Sequence, residues 1–350
     1  MTKPIRLRAK RGTRRKLSSV TMMDVAAQAG VSAQTVSRAL SAPETVTQET
    51  RKRIEDAVRA TNYVPNFAAS HLASNRSRTV AAIIPSISSS IFAETIQGLN
   101  ETLLPKGYQL FLGHTDYRPD REEAVIKSFM GRKPDGFFVI GTRHTRGAVN
   151  LLKQARVPVV ESWDWTSRPI DLLVGFSNRM ATETMVSYLA NRGYQRPSFA
   201  GIVRPGDYRA AERRDGYENA MSRCFPGQPL RIHIVSDGEV TLHAGAELLT
   251  SLRAAHPDTD VVIFSSDLPA SGALLACRRL GIDVPGELAI AGFGDYELAA
   301  ELQPSLTTIA VPTKEIGRLA GRLLLKSMQG ESVDEKSVDV GFELKARESA

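Results

Sequence analysis

The sequence predicts a small all-α helix-turn-helix head followed by an α/β body of two doubly wound, parallel-sheet lobes. Two short amphipathic helices around a glycine, in residues 21–41, predict the head. From residue 79 onward, short apolar runs alternate with amphipathic helices, a pattern typical of parallel strands covered by helices. The alternation runs through two series of similar length, which indicates two lobes of like topology.

The positive charge of the chain is concentrated in the predicted head. Residues 1–78 carry 15 Lys and Arg against 5 acidic residues, whereas the other residues carry 30 against 33. A basic head on a nearly neutral body indicates a polyanionic partner for the head alone.

The chain of 350 residues is long enough for two or three domains, and its 2 cysteines have no metal-ligand spacing. We therefore expect no metal and no cofactor.

The first twenty residues hold 8 Lys and Arg and no acidic residue. We expect a disordered basic tail in residues 1–20 that adds non-specific attraction to phosphates. No apolar stretch of the length of a signal peptide follows these charges, and no apolar run approaches about 20 residues. The expected location is therefore the cytoplasm, with no secretory signal and no membrane span.

The head helices carry recognisable start and stop signals. Thr21, followed three residues later by Asp24, is a capping-box pattern, and Gly30 supplies the turn that ends the first helix. Thr47 is the expected N-cap of a third helix, with Val46 packing against its first turns. These signals predict three short helices packed on one another.

The second helix has the chemistry of a base-reading element. Ser32 is its expected cap, and Val36 and Leu40 are expected to face the first helix. The outer face then carries four side chains: Ala33, Gln34, Ser37 and Arg38. Gln can bond adenine and Arg can bond guanine through two hydrogen bonds each in the major groove.

The head resembles the LacI family of bacterial transcriptional regulators. The match runs through four segments: Met23-Asp-Val-Ala, Gly30-Val-Ser, Gln34-Thr-Val-Ser-Arg38 and Asn62-Tyr-Val-Pro-Asn66. The resemblance implies a sequence-specific transcriptional repressor, active on the bacterial nucleoid, with a DNA-binding domain at 21–65. It implies that Gln34 and Arg38 touch bases.

The same resemblance implies further DNA contacts. Phosphates are expected at Thr21, Ser32, Thr47 and Asn66, and Tyr63 packs the head and reaches toward the DNA backbone. Ala33 stands where the lac repressor has a tyrosine, which implies a different operator sequence. Residues 66–78 are expected to form a hinge helix and linker, in which Leu72 wedges into the minor groove and Ala69 permits close approach of a dimer mate.

For residues 79–350 the resemblance implies a periplasmic-binding-protein-like body that binds an effector and dimerises. The N-terminal lobe is expected at about 79–176 and 310–335, and the C-terminal lobe at about 177–306 and 338–345. A last strand at 338–344 is expected to complete a sheet. The ligand is expected between the lobes, where the carboxyl ends of parallel strands face a crevice.

Within the family, the body most resembles the gluconate-utilisation repressors. The motifs that carry this similarity include Phe92-Ala-Glu94, His114 with Tyr117, Pro158-Val-Val-Glu161 and Ala291-Gly-Phe293. The effector-binding residues expected from the strand-end loops and from this resemblance are Ser88, Ser90, Phe92, His114, Tyr117, Trp163, Phe176, Arg209, Arg213, Ser266, Asp267 and Asp295. The serines also suit helix capping, and His114 also suits a structural role.

A sugar acid needs a cationic clamp for its carboxylate, and an arginine supplies a two-pronged one. Arg213 aligns with the effector-gripping basic residue of the family, and Arg209 lies one helical turn before it. The alternative for both is a solvated basic face shared with Arg214. The effector is thus expected to be gluconate or a keto-gluconate, with a neutral sugar as the alternative, acting as inducer or co-repressor.

The sequence disfavours two other function classes. An enzyme on a doubly wound fold would need a nucleotide, nucleophile or metal motif, and none occurs in the sequence. A transporter's solute-binding protein would need a signal peptide and would have no use for the head. The favoured hypothesis is a homodimer on a near-palindromic double-stranded operator, without membrane contact and without a tetramerisation helix after Leu344.

Overall fold

A computed structural model describes residues 20–64, 76–87 and 90–350 of the chain. The described residues fall into two compact units, 20–64 and 76–350, which are treated separately below. In these residues no helix is both long enough and apolar enough to span a lipid bilayer.

The first unit is a three-helix head. Its helices are α1 (Met22–Ala29), α2 (Ala33–Ser41) and α3 (Gln48–Thr61), with a 3₁₀ turn at Pro43–Thr45. The capping box at the start of α1 is present: the Thr21 hydroxyl accepts from the Asp24 N–H, and the Asp24 carboxylate accepts from the Thr21 N–H at 2.8 Å. Gly30 ends α1 at φ 63°, a left-handed conformation that glycine adopts without strain.

The core of the head is small and aliphatic. Its buried residues are Val25, Ala26, Ala29, Val36, Ala39, Ile54, Ala57 and Tyr63. One expectation was wrong: Leu40 is 39% exposed, and Ala39 is buried in its place. Positions 39 and 40 both follow Val36 on the same helix face, one on each side of it, and the core of the head covers the side on which Ala39 lies.

The second unit begins with a lobe built on six parallel strands. They are β1 (Thr79–Ile84), β2 (Gln109–His114), β3 (Gly136–Ile140), β4 (Val159–Ser162), β5 (Leu172–Gly175) and β11 (Ser337–Asp339), in the order β2-β1-β3-β4-β5-β11. Three helices lie between its strands: α4 (Ser90–Leu103), α5 (Pro119–Met130) and α6 (Arg146–Ala155). Phe137 and Phe138 are both fully buried, but in different cores, so the sheet is covered on both faces.

The other lobe has a four-stranded parallel sheet. Its strands are β6 (Pro197–Ile202), β7 (Ile232–Val235), β8 (Val261–Phe264) and β9 (Ala289–Ala291), in the order β7-β6-β8-β9. The helices around it are α7 (Asn178–Asn191), α8 (Tyr208–Cys224), α9 (Leu242–Ala255), α10 (Asp267–Leu280) and the short α11 (Glu297–Glu301). Fully buried strand residues such as Phe199 and Phe264 explain the continuous apolar runs of the sequence.

The end of the chain differs from the prediction, which was a single strand at 338–344 that belongs to the second lobe. The run forms two strands, because Gly341 turns the chain at φ 64°. The first, β11, pairs with β5 and so completes the first lobe. The second, β12 (Glu343–Lys345), pairs antiparallel with β10 (Thr308–Ala310), which is bridged to the second lobe through Thr307 and Ala291.

The long helix α12 (Thr313–Met328) also belongs to the first lobe, where it packs on α4. Glycines let the two backbones approach closely. A Cβ atom on Gly98 would lie 2.1 Å from the carbonyl oxygen of Lys314, and one on Gly317 would lie 1.9 Å from that of Thr95. The chain therefore passes between the lobes three times: after β5, before α12 and after β11.

Candidate nucleic-acid interface and ligand cavity

The outer face of α2 is a row of exposed polar side chains. Gln34, Ser37 and Arg38 are exposed, and Ala33 before them is partly covered. They stand on a helix held at its N-terminus by Ser32, whose hydroxyl accepts from the Thr35 N–H at 3.1 Å. This arrangement suits a helix that enters a major groove with its first turns.

The predicted phosphate-contacting hydroxyls are the N-caps of the three head helices. Thr21 caps α1, Ser32 caps α2 and Thr47 caps α3, where it accepts from the Thr50 N–H at 3.3 Å. All three residues are exposed, and helix N-termini attract anions. Tyr63 is only 7% exposed and packs in the core of the head. Asn66, Ala69 and Leu72 lie outside the described residues.

The turn between α1 and α2 is clamped from α3. The guanidinium of Arg53 donates to the carbonyl oxygens of Ala29 and Gly30, at 2.5 and 3.2 Å. These carbonyls are the unpaired acceptors at the end of α1, and a cation there is favourable for the helix dipole. Arg53 thus fixes the direction in which α2 leaves the turn, a role that its position in a basic run did not reveal.

In the second unit, a cavity of about 830 Å³ lies between the two lobes. It opens beyond the carboxyl ends of strands in both sheets, as expected for paired α/β layers. The predicted residues that line it are Ser90, Phe92, Tyr117, Trp163, Arg209, Arg213 and Ser266. The volume is within the range of small-molecule sites.

Four predicted residues that the structure describes do not line this cavity: His114, Phe176, Asp295 and Asp267. His114 is exposed beside it, with Nδ1 2.9 Å from Oδ1 of Asp116. Phe176 is buried behind the wall, stacked on Phe293 with ring centroids 6.3 Å apart. Asp295 is in an ion pair with Arg347 at 2.7 Å. Ser88 lies outside the described residues.

The fourth, Asp267, is a structural carboxylate with no exposed surface. It accepts from the Thr308 hydroxyl at 2.6 Å and from the Tyr296 N–H at 2.9 Å. Burial raises the pKa of Asp267 to about 6, and these hydrogen bonds act in the opposite direction. The carboxylate therefore joins α10 to a segment that crosses between the lobes, and its oxygens are used by the protein itself.

Aromatic rings form one wall of the cavity. Phe92 meets Trp163 edge to face, with centroids 5.1 Å apart and planes at 81°. Trp163 is held at φ 68°, which is rare for a bulky side chain, and its N–H donates to the hydroxyl of Thr95 at 3.1 Å. Such a wall can stack against the apolar face of a sugar ring or chain.

Arg213 is a partly buried cation in the wall of the cavity. Its guanidinium carbon lies 4.3 Å from the ring centroid of Phe293, and its Nε is enclosed without a hydrogen-bond acceptor among the described residues. Burial lowers the pKa of Arg213, because a charge removed from water loses its hydration. Arg209 is more fully buried: its guanidinium carbon lies 5.5 Å from the ring centroid of Phe92, and its Nη2 lies 3.9 Å from Oδ1 of Asp207.

Sequence reasoning missed several residues of the wall, among them Arg204, Asp207, Phe293 and Tyr296. Arg204 lies with its guanidinium carbon 5.1 Å from the ring centroid of Tyr117, and burial raises the pKa of that tyrosine to about 12. Asp207 is the N-cap of α8, accepting from the Ala210 N–H at 3.2 Å. The Pro-Gly-Asp sequence before α8 was the available signal for this cap.

Comparison with known proteins agrees with this geometry. Residues 21–66 match the model of the bacterial regulatory proteins of the lacI family, and residues 186–350 match a periplasmic binding protein-like domain. The HTH-type transcriptional regulator GntR of Pseudomonas aeruginosa is 34% identical over 332 residues, 94% of this chain and 95% of that protein. The HTH-type transcriptional repressor CytR of Escherichia coli is also 34% identical, over 95% of this chain and 96% of its own length.

A crystal structure of a LacI-family transcriptional regulator from Silicibacter pomeroyi has the same fold. It is 34% identical, superimposes with a TM-score of 0.88 and covers 94% of this chain and 99% of that one. The chain therefore belongs to the lacI family of bacterial regulatory proteins. It is a DNA-binding transcriptional regulator and not an enzyme, so the family, fold and function class predicted from the sequence are confirmed.

Proposed function

We propose that the protein is a repressor whose operator affinity is controlled by a small sugar acid, of gluconate or keto-gluconate type, bound between the two lobes. The head, at about 21–65, would read a near-palindromic operator with Gln34 and Arg38, in a homodimer joined through the body. The segment 66–78 would link head and body. Because such an operator lies on the nucleoid, the protein would act in the bacterial cytoplasm.

The choice of a sugar acid rests on one observation, the lack of a hydrogen-bond acceptor and of an ion-pair partner for Arg213 among the described residues. Its Nε has no acceptor and no carboxylate lies within ion-pair distance of it among the described residues, although the group faces the cavity. An enclosed donor that lacks a partner is costly, whereas a carboxylate accepting two hydrogen bonds from a guanidinium satisfies both groups. A neutral sugar would leave Arg213 without a carboxylate within ion-pair distance.

The rest of the cavity suits the polyhydroxylated part of such a ligand. Phe92 and Trp163 supply an aromatic wall, and the hydroxyl of Ser266 is enclosed and has no hydrogen-bond partner among the described residues. A sugar acid would place its carboxylate on Arg213, its carbon chain on the rings and a hydroxyl group on Ser266. GntR, among the relatives at 32–34% identity, agrees with this ligand class.

Control of the operator would follow from linkage. The ligand touches both lobes, because Phe92 belongs to the first lobe and Arg213 to the second. It therefore favours whichever lobe arrangement brings these groups to the right separation. If that arrangement binds DNA less well, operator affinity falls, and it falls by the ratio of ligand affinities for the two arrangements.

The experiment uses the full-length protein on a fluorescent fragment of its own promoter, followed by anisotropy. Gluconate, 2-ketogluconate, glucose and a nucleoside are titrated into the complex. We expect a change in DNA affinity with the sugar acids alone, downward for an inducer and upward for a co-repressor. Arg213→Gln should keep DNA binding and lose this response.

Arg214→Gln is the matched control, because Arg214 is on the same helix and is already paired with Asp215 at 2.7 Å. It should respond as the wild type does. A response to glucose or to the nucleoside alone would overturn the sugar-acid proposal. So would an Arg213→Gln variant that responds normally.

A further inference from the structure

The cavity has more positive charge than one carboxylate would neutralise. Three arginines line it: Arg204, Arg209 and Arg213. Three acidic residues also line the cavity: Asp116, Asp207 and Glu239. Only Asp207 among them is buried.

The carboxylates that reach the cavity are either already paired or exposed. Asp207 caps α8 and lies 3.9 Å from the guanidinium of Arg209, with which it forms an ion pair, and from further away its charge partly offsets the lowering of the pKa of Arg213 by burial. Asp116 is held by Arg121 and by His114 at the edge of the cavity. Glu239 is an exposed residue of the rim. Two arginines, Arg204 and Arg213, therefore remain without an ionic partner among the described residues.

In both of these arginines the Nε–H group has no hydrogen-bond acceptor among the described residues. Both nitrogens are also enclosed. The two groups occupy different places, because Arg204 lies over Tyr117 of the first lobe and Arg213 over Phe293 of the second. One small carboxylate on Arg213 would leave the charge of Arg204 unmatched.

We propose that the effector carries two anionic groups, one held by Arg213 and the other by Arg204. This inference rests on the proposed function and narrows it: the ligand is a sugar acid with a second carboxylate or a phosphate, and Arg204 selects for that group. A guanidinium binds both kinds of group through paired hydrogen bonds. The ring of Tyr117 holds Arg204 in place from the opposite lobe, so the second anion also favours closed lobes.

The test is calorimetric titration of the full-length protein with four probes. They are gluconate with one carboxylate, glucarate with two, 6-phosphogluconate with a carboxylate and a phosphate, and glucose 6-phosphate with a phosphate alone. We expect at least one of the two double anions to bind about tenfold or more tightly than gluconate, since a hydrogen bond to a charged group is worth that much. Glucarate and 6-phosphogluconate then identify which second group fits.

Two variants separate Arg204 from a general charge effect. Arg204→Gln should weaken the double anion at least about tenfold and weaken gluconate less, so that the preference collapses. Arg192→Gln removes the same charge from an exposed site in the same lobe and should leave the preference unchanged.

The outcomes separate this inference from the proposed function. If gluconate binds as tightly as both double anions, the inference is wrong and the sugar-acid proposal stands. If Arg204→Gln keeps the full preference, Arg204 is not the selecting residue and the inference is also wrong. If neither gluconate nor any double anion binds, the proposed function itself fails.

Discussion

The indole N–H of Trp163 donates a 3.1 Å hydrogen bond to the hydroxyl of Thr95, which in turn donates to the carbonyl oxygen of Thr313 at 2.8 Å. Trp163 lines the cavity, Thr95 is on α4 and Thr313 begins α12. The wall against which a ligand would lie is thus hydrogen-bonded to the contact between two helices. A shift of the indole would be felt directly at that contact.

Replacing Trp163 by Phe tests this link. The ring is partly retained, but the hydroxyl of Thr95 loses a buried donor, so we expect a loss of about 1 kcal/mol or more in the free energy of unfolding. Trp165→Phe is the matched control, because that indole is 39% exposed, and it should change stability by less than about 0.5 kcal/mol. Urea unfolding of both variants measures the difference, and equal stabilities would refute the structural role of this hydrogen bond.

The close packing of α4 on α12 predicts a strong effect of one methyl group. In Gly317→Ala the new Cβ would lie 1.9 Å from the carbonyl oxygen of Thr95, so the helices must separate. We expect destabilisation of about 1–3 kcal/mol, the usual range for overpacking. In Gly131→Ala the new Cβ would lie 3.5 Å from the carbonyl oxygen of Ser128, an ordinary contact, and φ is already helical at −61°, so this variant should be neutral or slightly stabilising. Thermal unfolding compares them, and similar melting temperatures would contradict the packing argument.

Base reading by α2 is tested with Arg38→Ala. If Arg38 bonds one base, the variant should lose about 1–3 kcal/mol of affinity for the operator and should no longer discriminate at one base position. Arg59→Ala removes an exposed arginine of α3 that is paired with Asp56 and should leave discrimination intact. Anisotropy with a set of single-base operator variants gives the answer. A uniform loss on every operator would show that Arg38 contacts phosphate only.

Asp267 makes stability depend on pH. Burial raises its pKa from 3.8 to about 6, so between these values the native state holds a proton that the unfolded state has released. Its contribution to stability is therefore complete below about pH 4 and falls as the pH rises through 6, by about 3 kcal/mol at about 1.4 kcal/mol per pKa unit.

Asp267→Asn removes this titration. Relative to wild type, the variant should gain about 3 kcal/mol in free energy of unfolding between pH 4 and pH 7. Any loss from altered hydrogen bonds to Thr308 and Tyr296 is the same at both pH values and cancels in the comparison. Urea titrations of both proteins at both pH values measure it, and parallel pH profiles would exclude Asp267 as the titrating group.

The alternation of apolar runs and helices was enough to predict the fold, because buried parallel strands and covering helices have distinct periods. It was not enough for the predicted last strand, which forms two strands in the structure. The first, β11, pairs with β5 and the second, β12, pairs with β10, and both pairings join residues far apart in the sequence. Pairing over such a distance leaves no local pattern in the sequence.

Only some of the residues that line the cavity were predictable, because side chains from distant parts of the chain meet there. Strand-end position identified Tyr117 and Trp163, and the resemblance to the family identified Arg213, but strand-end position does not say which of two neighbouring side chains faces the crevice. Asp267 and Asp295 follow strands, yet their carboxylates are taken by Thr308 and Arg347. Arg204 was missed, because its importance depends on Tyr117, which reaches it from the other lobe.

The return of the chain to the first lobe has a consequence for biosynthesis. The first lobe leaves the ribosome early, but its covering helix α12 and its edge strand β11 are made only after the whole four-stranded sheet of the second lobe. A nascent chain that ends before Thr313 therefore has a complete second sheet, but one apolar face of its first sheet is covered only in part, by α4. The first lobe is therefore the first to begin synthesis, but it is completed only after the sheet of the second lobe.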